Sequence, residues 1–486
     1  MHICIVGTGA SGWITAFILN NQSWVDKITI VGSPAIPTIG VGESTTTGMI
    51  NFLYKQIFKL NKAGQDKLFV DIDAAIKYGV YYKNWSNKNF LHGFVGGSQN
   101  NCNGYLLGHL SENENENHYM MPLYDEITNN NIFIPHLGVQ NFSVHFDANK
   151  FISTMENLAK NESKIHHIKD TVIHANFKKD EEVSSLQLSD NSWIEADYYV
   201  SCVGQRGFNE RVFKEKYEEY SDVLLTNKAL FYPLEYKNKE KEFHPYTVAK
   251  TMKHGWRWIT PTWSRIGTGY VFSDNHVSID EAVHEFQQDI GDTSIEPYTT
   301  DFFPRRVKKV FKKNYCSIGM AAGFLEPLDA PGLDMSIIFA HLLTLILPSN
   351  ITIKNANQYS EYNFNFWASF ILHQYKTSSR NDTKFWNDHK NVEFDFYENI
   401  IKNLYDPIGI NESAPLYVNE WMNDSDSFEP HMFYHTAAGK GLRWPVKCNN
   451  QPVKFRNNLL KEIDFSRAET HYEYFKKLHE HYGNLK

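Results

Sequence analysis

Four places in this 486-residue chain combine residue types and spacings that could do chemistry. The first is the opening, His2-Ile-Cys-Ile-Val-Gly7-Thr-Gly9-Ala10-Ser11-Gly12, a Gly-x-Gly-x-x-Gly directly after an apolar run. Glycines at that spacing permit a tight turn and a close backbone approach, leaving helix N-terminal amides to face a pyrophosphate. Gly7, Gly9, Ala10, Ser11 and Gly12 are therefore candidate dinucleotide contacts, and by pattern alone the cofactor is FAD or NAD. The acid that normally holds the ribose hydroxyls, about 20 positions further on, is replaced by Gly32 in Val31-Gly-Ser33-Pro34. Unless Ser33 or a remote residue substitutes, the ribose is held weakly.

The second place is Lys77 in Ala75-Ile-Lys-Tyr-Gly-Val-Tyr-Tyr-Lys-Asn-Trp85. Period-two alternation predicts Lys77, Gly79 and Tyr81 on one face, so that Lys77 leaves the sheet beside a residue with no side chain. Taken by itself, this is a solvent-facing lysine on a half-buried strand. The third is the pair Trp256 and Trp258 in Gly255-Trp-Arg-Trp-Ile-Thr-Pro261, and the fourth the carboxylates Glu326 and Asp329 in Leu325-Glu-Pro-Leu-Asp-Ala-Pro331-Gly332.

Together these segments resemble the flavin-dependent tryptophan halogenase family. Trp256-Arg-Trp258-Ile-Thr260-Pro261 is similar to its Trp-x-Trp-x-Ile-Pro signature, with Thr260 where Ile is usual. Ile36-Pro-Thr-Ile-Gly-Val41-Gly-Glu43-Ser-Thr45, which composition alone reads equally as a simple loop, resembles the family's flavin strap. Val200-Ser-Cys-Val-Gly-Gln-Arg-Gly207 and Cys316-Ser-Ile-Gly319-Met-Ala-Ala-Gly-Phe resemble its strand-to-turn segments, and the likeness runs over roughly residues 1 to 390. It implies FAD, reduced by a separate flavin reductase, with O2 and halide forming hypohalous acid that travels inside the protein to a small electron-rich arene of the indole or phenol type.

The resemblance also implies roles. Lys77 meets the hypohalous acid, and Trp256 and Trp258 wall the flavin off from the arene. Asp329 stands where the family has Glu, one methylene shorter. Val41, Glu43, Gly319 and Leu333 join the glycine turn as flavin contacts. The halide rests at Pro331 and Gly332, and because Pro331 has no N–H, bromide or iodide is favoured over chloride. Glu326 reads as structural, and FAD binding is expected to be loose. The rival readings are an aromatic hydroxylase on the same flavin fold and a flavin-binding protein with a drifted site.

These residues need elements to position them. The pattern predicts an α/β fold, a Rossmann-like nucleotide-binding domain assembled from distant segments with a β-rich insertion and a helical C-terminal region; the resemblance implies that the first is an FAD-binding domain of the glutathione-reductase type and the last a substrate cap. Residues 1–355 form the core, with the insertion over about 75–195 and 225–310, and 356–486 the cap. Strands are expected at His2 to Val6, Ile28 to Val31, Ala74 to Tyr82, within Ile165 to Leu188, at Asp197 to Val203, through Leu230 to Phe272 and at Tyr315 to Ile318. Helices are expected at Trp13 to Leu19, Thr46 to Leu60, Ser336 to Leu347 and Tyr359 to Trp386, with Asn87 to Asn117 a polar loop.

Composition narrows the partners. With 48 Lys plus Arg against 56 Asp plus Glu, the net charge is -8, which disfavours nucleic acid and anionic membrane surfaces. The five cysteines, Cys4, Cys102, Cys202, Cys316 and Cys448, lack metal-ligand spacing, so no metal and a cytoplasmic location are expected. The longest apolar run, Ile337 to Leu347, is too short to span a bilayer. His145 and His373 read as structural hydrogen-bonding residues, and His166-His167 and His479-Glu-His481 as surface.

Overall fold

The computed structural model describes residues 1–36, 43–58, 62–94, 121–134, 142–178, 182–205, 207–405, 431–440 and 467–483. Among them the architecture is α/β. The apolar runs His2–Val6, Lys27–Val31 and Tyr198–Ser201 are buried along nearly their whole length, as strands covered on both faces must be. They join a five-stranded parallel sheet whose order is Tyr315–Ser317, Tyr198–Ser201, His2–Val6, Lys27–Val31, Ile165–Ile168. The nucleotide sheet is thus gathered from strands more than 300 residues apart, one of them from within the range expected as insertion.

A second, seven-stranded sheet runs Tyr298–Asp301, Lys228–Leu234, Ile266–Phe272, Gly255–Pro261, Thr247–Met252, Gly79–Lys83, Phe90–Gly93. Its pairs are antiparallel except Thr247–Met252 with Gly79–Lys83. A small antiparallel sheet places Ser143–Phe146 between Glu43–Ser44 and Ala75–Lys77.

That small sheet corrects the reading of Ala74 to Tyr82 as one strand. The chain breaks at Tyr78, whose N–H donates to the Pro245 carbonyl at 2.8 Å and whose carbonyl accepts from Phe94 N–H at 2.9 Å. Lys77 and Gly79 therefore lie in different sheets. Gly79 is required by its own hairpin, because a β-carbon there would fall 2.1 Å from the His92 carbonyl oxygen. Phe90–Gly93, expected as polar loop, is the edge strand of the large sheet, where Val80 faces His92.

Helix Pro331–Ile346 begins five residues earlier than expected and packs beside the nucleotide helix Ala10–Asn20. Ile353–Lys376 is one 24-residue helix, opened by the Thr352 side chain accepting from Asn355 N–H and closed at Thr377, short of the expected Trp386. Helix Thr47–Phe52 runs into a π-turn over Leu53–Phe58. No described helix is long and apolar enough to cross a membrane.

Candidate active site: a glycine cradle and a buried amine

Strand His2–Val6 delivers Gly7 in the left-handed region, with φ of +115°. Only glycine is free there, and a side chain at Gly7 would strike the Cys202 carbonyl. A β-carbon at Gly12 would lie 2.0 Å from the Gly7 carbonyl oxygen, so the turn closes only without one. Gly9, the N-cap of Ala10–Asn20, has open space around it and no side-chain cap, leaving the first helical amides for a ligand. Gly204 and Gly332 face open space as well.

The Ser11 hydroxyl meets the Ser336 hydroxyl at 3.0 Å, which joins the first turn of the nucleotide helix to the helix that starts at Pro331. Gly319, with φ of +67°, presses on Ser11 at the same junction. Two helix N-termini and an open glycine turn fit a flavin dinucleotide. At Gly32 a β-carbon would lie 2.0 Å from the Thr8 hydroxyl oxygen, so Thr8 fills the place of the missing acid. The Ser33 hydroxyl is bonded to the Thr171 hydroxyl at 2.7 Å. In the strap, Val41 lies outside the described residues. Glu43 pairs with Phe146, and burial, then the Asp147 carboxylate, raises its carboxyl to about 7.

Lys77 does not face solvent; it is 0% exposed. Its Nζ donates to the Thr45 carbonyl at 2.7 Å, at the end of the strap, and lies 5.3 Å from the centre of the Phe94 ring. Burial lowers its pKa to about 7, with the Asp329 carboxylate pulling the other way. Thr45 is itself tied down, its hydroxyl donating to the Val144 carbonyl at 2.6 Å.

Asp329 and Ala330 are both left-handed, at φ of 60° and 59°, immediately before Pro331 opens its helix. Non-glycine residues in that region cost energy and persist where packing fixes them. The Ala330 N–H is used by the Pro327 carbonyl at 3.1 Å and Pro331 has none, so the next amides on the chain are those of Gly332 and Leu333. Asp329 is buried; one carboxylate oxygen accepts from the Tyr82 hydroxyl and the other lies 3.4 Å from His92 Nδ1.

Trp256 and Trp258 project from one face of Gly255–Pro261, their rings 6.3 Å apart. A β-carbon on the opposite residue Gly269 would lie 2.1 Å from the Trp258 ring, so glycine makes room for that indole. The Trp256 N–H donates to Glu326 at 3.0 Å, and the same carboxylate accepts from Thr226 and from the Tyr375 hydroxyl. Glu326 is fully buried, and burial raises its carboxyl to about 7 against those donors. Glu326, expected as structural, thus ties Trp256 to the turn that carries Asp329.

Sequence reasoning missed Tyr82, His92 and Phe94 around the carboxylate and amine, and Lys440. The Lys440 amine is buried 2.7 Å from both the Gln374 side-chain oxygen and the Thr377 hydroxyl, and burial holds its pKa well below the usual lysine range. The available signal was the spacing Phe90, His92, Phe94 at period two inside an otherwise polar stretch. His145 bonds the Pro261 carbonyl and Thr247 hydroxyl, and His373 the Tyr397 hydroxyl and Phe433 carbonyl. His479, expected at the surface, is half-buried, its ring stacking 4.5 Å from that of Trp263.

Comparison with known proteins agrees with this geometry. The family model described as tryptophan halogenase matches residues 2–443. The chain is 26% identical to the tryptophan 7-halogenase RebH of Lentzea aerocolonigenes, over 90% of this chain and 89% of that protein. It is 25% identical to the tryptophan 6-halogenase ThaL of Streptomyces albogriseolus, over 80% and 79%. The solved tryptophan halogenase of Shewanella frigidimarina superposes with a TM-score of 0.83 at 22% identity, covering 99% and 98% of the two chains. The flavin-dependent halogenase BrvH of Brevundimonas sp. BAL3 gives 0.80 at 23%, covering 98% and 99%. The chain belongs to the flavin-dependent tryptophan halogenase family.

Proposed function

We propose that this chain is an FAD-dependent halogenase of small electron-rich arenes, indole or phenol in type, with bromide or iodide preferred to chloride. The observation that carries the reading is Lys77, an amine with no solvent exposure, held at the strap's end beside an aromatic ring and within the field of Asp329. Gly7, Gly9, Ala10, Ser11 and Gly12 would hold the pyrophosphate, and Glu43, Gly319 and Leu333, with Val41, the flavin end. Reduced FAD, replenished by a separate reductase, would supply the two electrons by which O2 converts halide to hypohalous acid and water.

The chain's own groups do the rest. Amides at the start of the Pro331 helix, chiefly those of Gly332 and Leu333, hold the halide with the helix dipole behind them. One donor fewer, for want of a Pro331 N–H, penalises a small, strongly hydrated anion most. Trp256, fixed by Glu326, and Trp258 keep the flavin from direct contact with the arene. Lys77 as ammonium donates to the oxygen of hypohalous acid and makes the halogen more electrophilic; the Thr45 carbonyl and the Asp329 carboxylate both favour that charged form. With Thr8 over Gly32, the adenosine ribose lacks a carboxylate, and FAD is held loosely.

The test supplies FAD, a flavin reductase, O2, bromide and an indole and phenol panel to the wild type and to Lys77→Ala. Mass spectra showing brominated arene only with the lysine present support the reading. An oxygenated product formed without halide would select a hydroxylase instead, and stoichiometric FAD surviving extensive dialysis would overturn the loose-binding claim.

A further inference from the structure

The fully buried Glu326 carboxylate accepts hydrogen bonds from three separate parts of the chain. The Trp256 N–H donates from strand Gly255–Pro261 at 3.0 Å, and the Thr226 hydroxyl from just before strand Lys228–Leu234. The third donor is the Tyr375 hydroxyl, 3.0 and 3.1 Å from the two carboxylate oxygens, in the last turn of helix Ile353–Lys376. Tyr375 is fully buried too, and its ring stacks 4.0 Å from that of His389. His389 Nε2 accepts from the Leu225 N–H at 3.4 Å, so that imidazole also braces the residue next to Thr226. The same helix carries Phe370 against the ring of His92 and Gln374 against the Lys440 amine. One helix therefore touches the groups around Asp329 and, through Tyr375 and Glu326, the indole of Trp256.

We propose that Tyr375 is a positioning residue: its hydroxyl keeps the Glu326 carboxylate available to the Trp256 N–H, so that helix Ile353–Lys376 holds in place the indole that keeps oxidant inside the protein. The inference rests on the halogenase reading above, in which Trp256 bounds the route of hypohalous acid. A hydrogen bond to an ionised acceptor is roughly twice as strong as one to a neutral group, so the charge on Glu326 sets how firmly the indole is held. Thr226, Tyr375 and Trp256 favour that charge by donating to it, while burial and the Asp329 carboxylate oppose it. Loss of the Tyr375 hydroxyl removes the donor shared by both oxygens and favours the protonated carboxyl. Trp256 is then held less firmly, while the glycine turn and Lys77 keep their own contacts.

The experiment gives wild type and Tyr375→Phe reduced FAD, O2, bromide and the best arene of the indole and phenol panel, with the cyclic diketone dimedone in solution as scavenger. Brominated dimedone and brominated arene are measured by mass spectrometry at pH 8, 7 and 6. Tyr375→Phe keeps the ring on His389, and FAD fluorescence quenching and total bromination, scavenger plus arene, should match the wild type. The ratio of scavenger to arene product should rise roughly fivefold at pH 7, the worth of one hydrogen bond. The wild-type carboxyl titrates at about 7 and that of the variant higher, so the gap between the two proteins should shrink at pH 6, where both are protonated. Glu326→Gln removes the charge at nearly constant shape and should show the same gap from the wild type; in that background Tyr375→Phe should add nothing. A ratio equal to that of the wild type at every pH, a gap of one size at all three, or an undiminished effect in Glu326→Gln overturns the role of Tyr375 and leaves the halogenase reading intact. A wild type that brominates no indole or phenol removes the reading and the inference together.

Discussion

The glycine-turn end and the buried-amine end of this molecule are built on opposite principles. Around Gly7, Gly9, Gly12 and Gly204 the chain withholds side chains and leaves backbone amides at a helix start without a side-chain cap, where the proposed function puts the cofactor. Around Lys77 and Asp329 it buries charge among rings, with Tyr82, His92, Phe94 and Lys440 all drawn close. A backbone cradle needs only local sequence. A buried amine with its pKa lowered to about 7 needs walls contributed by segments up to several hundred residues apart. Under the proposed function, binding falls to one end and chemistry to the other, and variants at each end should separate the two.

Lys77→Ala should lower arene halogenation by at least about a thousandfold, within the range of losses seen when groups acting on a transition state are removed; FAD affinity, followed by fluorescence quenching, should stay within error. Gly12→Val is the mirror case. Its side chain enters the Gly7 carbonyl, so FAD binding should disappear while the environment of Lys77 is untouched.

Next in size, Pro331→Ser restores an N–H beside Gly332 and should move bromide-to-chloride selectivity towards chloride by roughly tenfold, one charge-assisted hydrogen bond, read from competing halides by mass spectrometry. Smaller again is the pH effect. Because the charged form of Lys77 is the donor, kcat should fall as pH rises through about 7; a neutral amine that forms a haloamine would give a rise instead. The stability linkage has its own sign. The folded-state pKa lies below the ordinary 10.5, so the Lys77 contribution is complete above pH 10.5 and is lost as pH falls towards 7. In Lys77→Met that slope in urea midpoints between pH 8 and 10 should diminish.

The cradle and the strands of the parallel sheet were legible because apolar runs and glycine spacing are local signals. Trp256 and Trp258 were legible as a motif within a β-rich stretch, and their shared face is what the structure adds. What was hidden depended on partners distant in sequence. Alternation through Ala74 to Tyr82 treated Lys77 and Gly79 as neighbours on one sheet, whereas Pro245 and Phe94 capture the Tyr78 backbone and divide the strand. Burial of Lys77 then follows from the strand Ser143–Phe146 and the strap, neither of which its own sequence announces. Phe90 to Phe94 sat inside polar composition, so a two-residue rhythm of rings was outweighed by its surroundings. Gly32 was readable as a missing acid, but its tight fit to Thr8 required coordinates.

The central claim is that oxidant is made at the cradle and used at the amine. Its most direct test measures bromide oxidation and arene bromination separately in Lys77→Ala, with a hypobromous-acid scavenger present and reduced FAD supplied. The account predicts scavenger bromination at close to the wild-type rate and no scavenger-resistant arene product. Loss of bromide oxidation together with arene bromination would contradict it, because the amine would then belong to the step that makes the oxidant.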